Sequence, residues 1–467
     1  MTTLTRTNRP LSLAVMLATL IAGCSQTAPP KEQPPKKATA SPPVAAKADE
    51  AVCVVATVHP LATDAGIAAF EAGGNAVDAA IAAAVTLGVV DGYNSGLGGG
   101  CFILIRRADG STAAIDGREK APAAATRDMF LRDGEAQPEL SQTGPLAVAV
   151  PGAVAAYDLA LKKYGQRELK DVLLPAARIA EDGFRLSKTY ASRIEASAES
   201  LARFAGSRAV LLKPDRSPYQ AGETLRQPDL ARSYRAIAEE GTDWFYNGPF
   251  AEKAGRWMAD NGGVLTAADF ADYAPQERVP LETNYRGWTI IGFPPPSSGG
   301  VHVAQMLNIL EHFDLKKQYD ADPASAMHLI AEAMKLAFAD RAYWLGDADF
   351  VDVPRGLIDP QYAAELAKRI DPKKAQDVPI HGDPPRADED LFGKKHTTHI
   401  AAADSDGNWV AITATVNTTF GSKVIVPGTG IVLNNEMDDF SAQPGKPNAF
   451  GLIGAENNAV APGKRPL

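Results

Sequence analysis

The chain has 467 residues, 45% hydrophobic and 22% charged, with a formal net charge of −9 at pH 7. This is a globular composition with enough apolar residues for a large core and room for two or three domains. The acidic balance argues against a nucleic-acid partner, whose binders carry basic surfaces, and says little about small substrates.

Residues 1–23 read as a targeting segment. Arg6 and Arg9 precede an apolar run from Leu11 to Ile21, too short to span a membrane as a mature helix. The run ends Leu20-Ile21-Ala22-Gly23-Cys24, which resembles a bacterial lipobox. That resemblance implies cleavage before Cys24, lipidation of its thiol, and a periplasmic protein held to a membrane by lipid alone. A plain signal peptide with a coincident cysteine is the other reading. Residues 24–49 are rich in Pro, Lys and Ala and contain no aromatic residue. They read as a tether, reaching up to ~75 Å if extended.

The globular part begins at residue 50, and residues 50–396 form its first region. Ala51–Ala56 reads as a buried strand. His59–Gly73 has helical spacing with a Gly73-Gly74 stop, and Ala76–Val90 reads as a core helix with Asp78 near its positive end. Gly96–Gly100 leads into a strand, Cys101–Arg106. It lacks the Lys-Ser/Thr of a phosphate cradle and precedes a strand, which favours a turn where backbones approach closely. Cys53 and Cys101 read as buried free thiols, with a disulfide as the other reading. Arg118 follows a strand. It can fork onto a substrate carboxylate or pair with Glu119 or Asp116 at the surface.

From Pro151 to about Ile370 the pattern is helical. The spacing predicts helices ending at Tyr164 and over Leu173–Asp182, Leu230–Glu240, Phe250–Asn261, Gly300–Phe313 and Ala324–Leu345. Asp340-Arg341 and the scattered His302, His312 and His328 read as structural. No Cys/His pair has metal-ligand spacing, and Asp404, Asp406 and Asn408 read as a turn rather than a calcium loop.

Residues 371–396 read as a loop, followed by a hairpin: a run from Thr397 to Ala403, the turn Asp404-Ser405-Asp406-Gly407-Asn408, and a run from Trp409 to Asn417. A turn centred on Asp406 sets Thr397 opposite Thr415, with Asn417 on the same face. Cleavage of the His396–Thr397 bond would give Thr397 a hydroxyl nucleophile and, on the same residue, an amine of near-neutral pKa. Taken alone, Thr397 reads first as an ordinary strand threonine.

Several motifs occur in order: Gly73-Gly74-Asn75-Ala76-Val77-Asp78, Arg118-Glu119, Pro294–Gly300, Asp340-Arg341, Thr397-Thr398-His399, Asn417-Thr418-Thr419-Phe420-Gly421 and Leu433–Ser441. Together they resemble the γ-glutamyltransferases (glutathione hydrolases) of the N-terminal nucleophile hydrolase superfamily, from about residue 50 to the end. The resemblance implies an α+β fold, a four-layer αββα sandwich. It implies a precursor cut between His396 and Thr397 into a large subunit and a small one starting at 397, here 397–467. Thr397 would be the nucleophile and Thr415 its hydrogen-bonding partner. Arg118 would hold the α-carboxylate of the γ-glutamyl group, and Asn417, Glu436 and Asp439 its α-amino end. The reaction would pass a γ-glutamyl group from glutathione or another γ-glutamyl amide to water or an acceptor amine, with no cofactor or metal.

Residues 442–463 resemble the family's lid, with Phe450 where many members carry a gating Tyr. The chain stops at Lys464-Arg465-Pro466-Leu467, where the family continues with a Ser-Ser pair and later a Gly-Gly oxyanion hole. One lost oxyanion donor costs on the order of 10²–10³ in rate. The 467 residues alone are therefore expected to be inactive or poorly folded. Two other readings stand: a β-lactam side-chain acylase from the same superfamily, and a catalytically dead lipoprotein that binds γ-glutamyl peptides.

Overall fold

The structure is a computed structural model that describes residues 52–377, 379–385 and 398–467. Cys24, the tether, His396 and Thr397 lie outside the described residues.

Six strands form the main sheet: β1 (Val54–Ala56), β2 (Gly100–Arg106), β3 (Thr112–Gly117), β4 (Gln276–Arg278), β7 (Thr398–Ala403) and β8 (Trp409–Thr415). Between β4 and β7 in sequence, β5 (Leu281–Tyr285) and β6 (Trp288–Gly292) make a separate hairpin. The main sheet runs β1-β7-β8-β2-β3-β4, every neighbour antiparallel.

The β7–β8 hairpin has the register its turn predicts. Thr398 faces Ala414, Ile400 faces Ile412 and Ala402 faces Val410. Asp404 fixes the turn: its Oδ1 accepts the backbone N–H groups of Asp406 at 3.1 Å and Asn408 at 2.9 Å. Gly407 supplies the left-handed residue, at φ 97°. β8 ends at Thr415, short of the expected Asn417. Asn417 turns to φ 76°, and the Val416 N–H leaves the sheet for Asn94 O at 2.9 Å.

Alternate residues give the sheet two different faces. Ile103, Ile105, Ile400, Val410 and Ile412 are buried in the main core with helices α1 (Pro60–Glu71), α2 (Ala76–Val90) and α3 (Ala153–Tyr164). Every residue of α2 is buried. Its exposed-end problem is solved locally: Asn75 Oδ1 accepts the Val77 N–H at 2.8 Å and Asp78 Oδ2 accepts the Asn75 N–H at 2.7 Å. On the other face, Phe102, Leu104, Ala411 and Thr413 line a cavity of about 200 Å³ shared with the β5–β6 hairpin and helix α4 (Ser298–Leu310). The order of layers is thus helix, sheet, hairpin, helix, in keeping with an αββα α+β fold. Among the described residues this second layer is a two-stranded hairpin.

Two expectations need correction. Ala51–Ala56 is not a buried strand: β1 is a short edge strand with Val54 54% exposed, because an edge has a neighbour on one side only. Cys53 is accordingly exposed, whereas Cys101 is buried and free, its thiol pushed well up by burial. The helical region matches with earlier starts, for example at Leu169, Pro228, Pro249, Ser298 and Pro323. The Gly96–Gly100 turn is a close approach, as expected. A side chain at Gly98 would collide with Val432 O, and one at Gly99 with Thr415 O. No described helix is long and apolar enough to cross a membrane.

Candidate active site

Four segments meet beyond the ends of β3 and β8. β3 delivers Arg118. The end of β8 delivers Thr415 and Asn417. A single 3-10 turn, Glu436–Asp439, delivers two carboxylates. The segment Lys464–Leu467 closes over Arg118.

Arg118 is 2% exposed and entirely engaged. Its Nη1 pairs with Glu436 Oε1. Its Nη2 donates to Asp439 Oδ2 at 2.8 Å and Leu467 O at 2.9 Å, and its Nε to Pro466 O at 3.2 Å. Its backbone is fixed too: its N–H reaches Asp116 Oδ1 at 2.9 Å, and its carbonyl accepts the Tyr273 hydroxyl at 2.8 Å. Burial works against the charge, but Glu436 and Asp439 more than offset it and hold the guanidinium above the usual arginine range. The surface-pair reading of Arg118 therefore fails, and its buried partners are the two acids that the sequence resemblance grouped with it.

The acids outnumber Arg118 here. Glu119 is 0% exposed, and neither of its carboxylate oxygens has a well-formed hydrogen bond. Burial pushes its carboxyl up to about 7, against the pull of Arg118. Burial likewise pushes Glu436 well above the carboxylate range, again against Arg118. Two buried carboxyls beside one cation favour holding a proton between them. Nearby polar atoms also wait for partners: Asn417 Oδ1 and Asn435 Nδ2 are buried and have none.

Thr415 and Asn417 are joined, the Asn417 N–H donating to Thr415 Oγ1 at 2.7 Å, and Asn417 Nδ2 donates to Asn435 O at 2.9 Å. Asn434 braces the whole site. Its Nδ2 donates to Gly98 O and Ala149 O, both at 2.9 Å, and its Oδ1 accepts the N–H groups of Ala149 at 3.1 Å and Glu436 at 3.0 Å. This uses the full capacity of a buried amide. Glu119, Asn434 and Asn435 went unassigned in the sequence. The paired Asn-Asn directly before an acidic turn was the one available signal.

The segment 442–463 lies against this turn. Asn448 Nδ2 donates to Asp439 Oδ1 at 3.3 Å, and the Ala449 N–H to Asp438 Oδ2 at 2.9 Å. Phe450 is 38% exposed. Asn458, in the same segment, adds a bond from its Nδ2 to Asp439 O at 2.7 Å. Asp340 is structural, as expected: its carboxylate accepts from Gln305 at 2.6 Å and Tyr362 at 2.7 Å. No cluster of His, Cys, Asp and Glu with metal-holding geometry occurs among the described residues.

Comparison with known proteins decides the family. A family model described as Gamma-glutamyltranspeptidase matches residues 62–467. The chain belongs to the γ-glutamyltranspeptidase family. It is 46% identical over 423 residues to a glutathione hydrolase proenzyme from Escherichia coli strain K12, a match covering 89% of this chain and 71% of the relative. Its structure resembles the crystal structure of Helicobacter pylori γ-glutamyltranspeptidase with TM-score 0.67 and 40% identity, over 69% of this chain and 92% of the other. It also resembles a cephalosporin acylase from Bacillus halodurans with TM-score 0.78 and 31% identity, over 91% and 76% of the two chains. The fold is that of these hydrolases, and the family is one of enzymes made as proenzymes.

Proposed function

We propose that this family member transfers and hydrolyses γ-glutamyl groups, glutathione among its substrates, through an ester on Thr397. The observation that carries the reading is the buried Arg118–Glu119–Glu436–Asp439 cluster beside the end of a hairpin whose last described pair is Thr398 and Ala414.

The Thr397 hydroxyl first attacks the His396 carbonyl carbon. The peptide nitrogen leaves with a proton, and water cleaves the resulting ester, so that Thr397 gains a free amine. That amine then takes the hydroxyl proton as Thr397 attacks the substrate's γ-carbonyl. The leaving amine departs protonated, and water or an acceptor amine releases the γ-glutamyl group.

A γ-glutamyl head is a zwitterion, which suits this cluster. Its α-carboxylate replaces a protein carboxylate on Arg118, and its α-ammonium takes the acids so released together with Asn417. The net charge of the buried site is unchanged, so binding avoids the cost of adding an unpaired charge. A cephalosporin acylase reading has the structural likeness in its favour, but an acyl group without an ammonium leaves the surplus acids unmatched. Turnover of a γ-glutamyl anilide against a cephalosporin bearing an acyl side chain separates the two readings. Preference for the cephalosporin would overturn ours.

The lipobox-like stretch supports a further part of the proposal: Cys24 is lipidated, and residues 24–49 tether the body in the periplasm. Labelling cells with a radioactive fatty acid should mark the protein and not a Cys24→Ala copy.

A further inference from the structure

One turn holds both ends of the stretch that carries the chemistry. Helix α2 ends at Val90, and residues 91–94 follow. Asp91 Oδ2 accepts a hydrogen bond from Thr398 Oγ1 at 2.9 Å. Asn94 O accepts the Val416 N–H at 2.9 Å, and Tyr93 O the Phe420 N–H at 2.9 Å. Thr398 directly follows Thr397, and Val416 directly follows Thr415. The same turn therefore grips the residue after the nucleophile and the residue after its partner.

The grip on Thr398 is specific. Asp91 and Thr398 are each 3% exposed, so their bond is shielded from competing water. Asn94 Nδ2 donates to Asp91 Oδ1 at 3.3 Å and Oδ2 at 3.1 Å, which holds the carboxylate in place. The turn itself is anchored to α2, since the Asp91 N–H bonds to Leu87 O at 2.7 Å. Thr398 is the first described residue of β7, and its side chain ties the start of that strand to the Asp91 carboxylate.

We propose that Asp91 is a positioning residue for Thr397, acting through the Thr398 hydroxyl both in self-cleavage and in turnover. The proposal rests on Thr397 being the nucleophile. A misplacement of about 1 Å costs on the order of 10² in rate, so loss of the tether should register in the kinetics.

The test follows self-cleavage of the freshly made full chain on denaturing gels, alongside its melting temperature. Asp91→Ala should slow cleavage about 10²-fold. Asp91→Asn keeps an oxygen that accepts from Thr398 and should restore most of the rate. Thr398→Val is close in shape and lacks the hydroxyl; it should match Asp91→Ala and carries the test if that variant does not fold. The double variant should be no slower than either single one, because both remove one bond. Unchanged cleavage in Thr398→Val, additive effects, or no rescue by Asp91→Asn would overturn the proposal. An unaltered chain never cut before Thr397 would overturn the nucleophile reading, and this proposal with it.

Discussion

Two charge clusters, one partly exposed and one buried, sit side by side at the end of β3, and they are built to opposite rules. Asp116 belongs to the first. Its Oδ2 accepts from Arg278 Nε and Nη2, both at 3.2 Å, and lies 3.7 Å from Arg465 Nε. Arg278 also grips Asp349 with two bonds of 2.7 Å. Acids and arginines are closely matched here, and the cluster ties β3, β4 and the segment around Arg465 together. Two residues on, Arg118 faces Glu119, Glu436 and Asp439, and buried carboxylate oxygens remain without hydrogen bonds. A matched cluster holds the fold. The mismatched one keeps buried acids in excess, as the zwitterionic substrate proposed above would require.

Substitutions sharpen this contrast. The largest effect should come from Arg118→Met. It strands two buried acids, so stability should fall by about 3–5 kcal/mol, and kcat/KM for a γ-glutamyl anilide should fall by roughly 10³ or more. Arg278→Met should lose a comparable ~3 kcal/mol on chemical denaturation while KM stays unchanged. A raised KM there would erase the distinction between the clusters.

Glu119→Gln tests the mismatch itself. The folded chain holds the Glu119 carboxyl up to about 7, against an ordinary 4.5. The folded state therefore binds more protons than the unfolded one in that window, and stability falls as pH rises through it. Melting curves should show Glu119→Gln flattening this fall and exceeding the unaltered chain above pH 7. The smallest effect should come from Asn448→Ala, which removes its bond to Asp439 and the two that its Oδ1 accepts from the Phe450 and Leu452 N–H groups, partly exposed bonds worth at most about 1 kcal/mol each. Proteolysis of segment 442–463 should quicken, with little change in the global melting temperature.

Much of this arrangement was legible in the sequence where local chemistry decides it. The Asp404–Asn408 turn dictates the hairpin register, and the glycines before β2 mark a close approach. Helix starts were read late because the prolines at Pro228, Pro249 and Pro323 belong to the first helical turn, ahead of the apolar periodicity. The edge position of β1 is a fact of sheet order, which its own residues do not encode. Arg118 joins Glu436 and Asp439 through family resemblance, since it lies more than 300 residues from them in the chain and no spacing rule links it to them. Glu119 was passed over because a Glu beside an Arg at a strand end reads as a solvated pair. The close approach of Gly100 and Glu436 to its carboxylate makes it otherwise.

The most direct test of the account is the intact mass of the purified protein, beside a Thr397→Ala copy, with N-terminal sequencing of any fragments. The account predicts two pieces, one beginning at Thr397, and a single uncut chain in the variant. A single uncut chain in both, or a cut elsewhere that Thr397→Ala leaves in place, would contradict it.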